Sequence, residues 1–104
     1  MELVMRKIAF ALLAAMLSAP AFADEQPIDL KKAPGLDVVE GNCAACHSLD
    51  YVQMNSPFLN AAGWDAEVHK MITLFGAQIS NGDAKTIADY LKANYGADHV
   101  TQNR

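Results

Sequence analysis

Three stretches of the chain carry apolar residues at helical spacing, and no stretch alternates with a period of two. In residues 35–43, Leu36, Val39 and Cys43 fall at i, i+3 and i+7 on one face. In residues 64–74, Trp64, Val68, Met71 and Phe75 continue a stripe at i, i+4, i+7 and i+11. Asp65 falls in the expected first turn of that helix, where a carboxylate suits the helix dipole, and Gly76 stops it. The third helix follows a turn at Asn81-Gly82, with Asp83 as its cap and Gly96 at its end. It turns Ile87, Leu91 and Ala88 inward. The pattern predicts an all-α domain with Trp64 and Tyr90 in or beside its core. Residues 48–62 hold Asn55, Ser56, Pro57 and Asn60 just before Gly63, and read as an irregular loop. Residues 24–34, with Pro27 and Pro34, read as a poorly ordered extended lead-in.

The N-terminus follows a different logic. Residues 1–7 carry Arg6 and Lys7, residues 8–17 are unbroken apolar, and small residues follow at Ala21 and Ala23. This order is that of a secretory signal peptide cleaved after Ala23. The apolar run is too short for roughly 30 Å of hydrocarbon, which takes about 20 residues, so no membrane span is expected. The expected organisation is a leader at 1–23, the lead-in at 24–34 and one domain at 35–104. Export into the periplasm follows from the leader.

Charge then narrows the partners. Removing Glu2, Arg6 and Lys7 leaves 6 basic against 11 acidic residues, a net charge of −5. An acidic surface argues against nucleic acid and anionic membrane as binding partners. A domain this small buries little of its own surface, so a disulfide, metal or cofactor is expected to support it.

Cys43 and Cys46 are the only cysteines, two residues apart and followed at once by His47. A thioredoxin-like pair would need a strand before Cys43, and a four-ligand zinc site would need two more clustered ligands. His69 and His99 stand far off; His69 reads as solvent-facing and His99 as a tail residue without a role. C-x-x-C-H is instead the attachment signature of c-type haem. The i, i+3 spacing sets both thiols on one helical turn toward one porphyrin edge, and His47 presents its imidazole to the iron. Such a histidine needs its other ring nitrogen held, and the carbonyl of Pro57 is the candidate. A thioether as sixth ligand favours ferrous iron and electron transfer. After leader removal that ligand is Met54 or Met71.

Gly35-x-x-Val38-Val39-x-x-Asn42-Cys43-Ala44-Ala45-Cys46-His47 resembles the start of class I cytochromes c, and Ile87-Ala88-Asp89-Tyr90-Leu91-Lys92 resembles their C-terminal helix. The resemblance implies three main helices packed around one covalent haem c. It also favours Met71 over Met54, because the family's ligand methionine lies shortly before the Tyr-Leu pair. The family usually shows Met-Pro in a loop, whereas Met71 here is followed by Ile72 at a helix end. Residues 46–59 and 63–71 resemble more narrowly the haem subunit of bacterial sulfite dehydrogenases. That resemblance implies a molybdenum-containing, sulfite-oxidising catalytic partner and a downstream acceptor such as another cytochrome c. The chain itself would then be an electron-transfer subunit with no catalytic residues. The alternatives are a free, diffusible carrier, or a haem sensor or peroxidase with an open sixth position.

Overall fold

The computed structural model describes residues 1–16, 20 and 27–100, and among them it is helical with no strand. The elements are α1 (Glu2–Met16), α2 (Leu36–Cys43), α3 (Asp50–Asn55), α4 (Ala61–Thr73), α5 (Asn81–Tyr95) and α6 (Ala97–Val100). The side chains of residues 2–10 on α1 are all exposed. No described helix is long and apolar enough to cross a membrane. The expected cleavage point after Ala23, the first residues of the lead-in and the side chain of His99 lie outside the described residues.

Helix α5 is the spine. Ile87, Ala88, Tyr90, Leu91 and Tyr95 are buried along it, and α2, α3, α4 and α6 pack against it. Fully burying a side chain such as Ile87 or Leu91 is worth about 1.5–3 kcal/mol, so this face supplies much of the core. Val39 from α2, Val52 from α3, and Trp64 and Val68 from α4 complete it. Trp64 is 1% exposed and Tyr90 2%, as their expected core placement requires.

The structure corrects the expected helix ends. Helix α4 starts at Ala61, because the Asn60 side chain accepts a hydrogen bond from Gly63 N at 2.9 Å. Asp65 therefore lies beyond the first turn and pairs instead with Lys92 of α5 at 3.0 Å. Both side chains reach solvent, so screening keeps the contribution of the pair small. The helix ends at Thr73, which leaves Phe75 off the apolar stripe and 71% exposed. Helix α5 is capped by Ser80, whose Oγ accepts from Asp83 N at 3.1 Å, so Asn81-Gly82 is its first turn rather than a preceding one. The 48–62 loop contains α3, six residues tied down by Ser56 Oγ donating to the Tyr95 carbonyl at 2.9 Å.

The described part of the lead-in, from residue 27 on, is tied to the core. Leu30 is 4% exposed and belongs to the core. Lys31 N donates to the Tyr95 hydroxyl at 2.8 Å, and the Tyr90 hydroxyl donates to the Lys31 carbonyl at 2.6 Å. The Lys31 ammonium sits 5.0 Å from the Tyr95 ring centroid and donates to the Asn94 carbonyl. Gly35 then opens α2 at φ +95°, and a Cβ there would meet Thr86 Cγ2 at 3.2 Å and Tyr90 Cβ at 3.3 Å. Only glycine allows α2 to approach α5 this closely in that conformation.

Two outcomes follow. Gly35→Ala combines left-handed strain with a tight contact and should cost about 1–3 kcal/mol, read as a thermal midpoint several degrees lower. Burial and the neighbouring Tyr95 push the Tyr90 phenol up to about 12. An unfolded tyrosine titrates near 10, so the stabilisation is fully present below about pH 10 and is lost as pH rises through about 12. Denaturant titrations across that window should show a decline that Tyr90→Phe flattens.

Candidate functional site

Helix α2 ends at Cys43, and a turn carries the chain through Cys46 to His47. Cys43 is half-buried against the core, Cys46 and His47 are exposed, and both thiols are free. Burial pushes the Cys43 thiol up from its ordinary value, and the nearby Cys46 adds to the rise. Cys43 faces an apolar wall.

That wall belongs to an open cleft lined by Cys43, His47 and, from α4, Trp64, Val68 and Met71. Ile87 and Leu91 of α5 form its floor. A second cleft shares His47, Tyr51 and Met71 with the first and adds Cys46, Lys70 and Phe75. Met54 lines neither of them and is 67% exposed on α3. Of the two candidate methionines, the fold brings Met71 to the cysteines and histidine.

Helix geometry explains the placement. Trp64, Val68 and Met71 lie on one face of α4, whose first two members are buried against α5, so the third follows them toward the cleft. The C-terminal end is pinned as well. Gly76 turns the chain at φ +72°, and Ala77 N donates to the Met71 carbonyl at 3.0 Å. His69, on the opposite side of the helix, is exposed.

The His47 ring has a different prop from the expected one. Its Nδ1 lies 3.1 Å from the carbonyl of Ser48, while Pro57 is exposed in the turn after α3. A carbonyl can only accept, so this bond needs the proton on Nδ1 and leaves the Nε2 lone pair free for an electrophile. The ring also packs on Tyr51, with centroids 5.7 Å apart and planes tilted by 58°.

One polar group on the cleft wall escaped the reading of the sequence. Glu67 accepts a hydrogen bond from the Tyr51 hydroxyl at 2.9 Å and pairs with Lys70. Burial pushes the Glu67 carboxyl up, but the bonds from Lys70 and Tyr51 outweigh it and hold the group below the usual carboxylate range. Burial and the Glu67 contact raise the Tyr51 phenol. The signal was available: position 67 stands three residues after Trp64 and four before Met71, on the face that otherwise turns inward.

Among the described residues, no group of three or more His, Cys, Asp or Glu stands together to hold a metal ion. The clefts bring together an imidazole, a thioether and two thiols among apolar side chains, with Tyr51, Glu67 and Lys70 among their other polar members. This set fits a covalently tethered porphyrin, which takes up thiols at its edge, an imidazole and a thioether at its iron, and apolar side chains along its faces. No family model matches the chain, and no curated protein matches it either.

Proposed function

We propose that this chain is a monohaem c-type cytochrome of the class I kind, an electron carrier with no catalytic centre of its own. The observation that carries the reading is the gathering of Cys43, His47 and Met71 around one apolar cleft, with Cys46 on a second cleft that shares His47 and Met71. Haem bound there supplies reversible one-electron exchange at iron. The residues have separate tasks. Cys43 and Cys46 tether the porphyrin through thioethers. His47 offers Nε2, with its orientation held through Nδ1 by the Ser48 carbonyl. Met71 offers a thioether that favours the ferrous state. Trp64, Val68, Ile87 and Leu91 keep water from the faces and strengthen every electrostatic effect within.

The leader at 1–23 directs export, so the working form is periplasmic and begins after Ala23. Its partner is a molybdenum-containing catalytic subunit that oxidises sulfite, as the resemblance of residues 46–59 and 63–71 implies. Sulfite oxidation releases two electrons and one haem iron carries one, so the chain is reduced twice per turnover and relays each electron to a downstream cytochrome.

Two measurements test these proposals. The oxidised protein should show the weak far-red absorption band of thioether-ligated ferric haem. Met71→Ala should abolish it and Met54→Ala should leave it; the reverse would move the ligand to Met54. A high-spin spectrum in the wild type, with ready cyanide binding, would indicate an open sixth position. Protein purified from its native host should contain iron and molybdenum in equal amounts, whereas iron alone in a monomer would make it a free carrier.

A further inference from the structure

Glu67 is the one carboxylate, and Lys70 the one ammonium, among the described residues that line either cleft. An apolar side chain at 67 would extend the inward face of α4 without any desolvation cost. The carboxylate is instead only 18% exposed, received by the Tyr51 hydroxyl on one oxygen and by Lys70 on the other. Tyr51 in turn lies against the His47 ring. A connected series of groups thus runs from the imidazole through phenol and carboxylate to an ammonium that is 39% exposed. Because the ammonium is the better solvated member, its charge is the more strongly screened, and the carboxylate dominates the field inside the cleft.

We propose that Glu67, held in place by Tyr51 and Lys70, is a positioning residue that sets the reduction potential of the haem by opposing reduction electrostatically. The inference rests on the haem-binding reading above. Reduction adds one electron to ferric iron and lowers the positive charge of the centre by one. A fixed negative charge on the cleft wall stabilises the more positive ferric state, so it lowers the potential. Lys70 offsets part of this effect. The two residues, three apart on α4, therefore act with opposite signs.

The test is a potentiometric titration of the purified holoprotein, with wild type, Glu67→Gln, Lys70→Gln and Asp89→Asn compared at one pH and ionic strength. Glu67→Gln keeps one side-chain oxygen for the Tyr51 hydroxyl and removes the charge together with the oxygen that Lys70 pairs with. It should raise the ratio of reduced to oxidised protein at fixed ambient potential by about fivefold. Lys70→Gln should lower that ratio. Asp89→Asn removes the same charge from a side chain 51% exposed on α5, and should move the ratio far less than Glu67→Gln. A Glu67→Gln shift no larger than that of Asp89→Asn, or two cleft variants shifting in the same direction, overturns the proposal. If Glu67→Gln fails to retain haem, the sign of the Lys70→Gln shift decides. Failure of the wild type to carry haem would instead overturn the function proposed above, and its absorption spectrum separates the two cases.

Discussion

The carbonyl of Tyr95 accepts hydrogen bonds from Trp64 Nε1 and from Ser56 Oγ, both at 2.9 Å, while its hydroxyl accepts one from Lys31 N at 2.8 Å. One residue at the end of α5 thereby holds α4, the turn after α3 and the lead-in. Each bond crosses a long stretch of sequence, so the chain cannot form one wall of the cleft without the others. A net gain of about 1 kcal/mol per hydrogen bond is modest. Losing a partner is costlier, because the indole N–H of Trp64 is buried and would be left unsatisfied.

The junction leaves apolar surface lining an open cleft. A chain of this size has too few residues to close over it. In the proposed reading the haem closes the gap and the core becomes complete only with it. The covalent tether suits that division of labour, since a cofactor this poorly enclosed would otherwise escape. The polar members then have defined places: His47 with its Nε2 free, and Glu67 with its charge fixed between Tyr51 and Lys70.

Much of this was legible in the amino-acid pattern. Helices α2, α4 and α5 follow from apolar residues at helical spacing, and the inward set Val39, Trp64, Val68, Ile87 and Leu91 was readable from the same signal. What escaped depends on contacts distant in sequence. Helix α3 is shorter than an isolated helix can sustain and exists because Val52 is buried and Ser56 is bonded to Tyr95. The lead-in looked loose because its anchors, Tyr90 and Tyr95, lie about 60 residues away. Helix starts were displaced because Asn60 and Ser80 cap one turn earlier than Asp65 and Asp83 suggested. Spacing alone left Met54 and Met71 open, and the fold separates them by placing one in solvent and the other on the cleft. The prop for His47 was sought at Pro57 and stands one residue away, at Ser48.

The central claim is that Cys43, Cys46 and His47 hold a haem. The direct measurement is the intact mass, under denaturing conditions, of the protein expressed in a host able to attach haem. The account predicts a chain beginning at Asp24 that carries the mass of one haem through denaturation, and no haem mass in a variant with both Cys43→Ala and Cys46→Ala. A wild-type chain with two unmodified cysteines, or one oxidised to a Cys43–Cys46 disulfide, would contradict it.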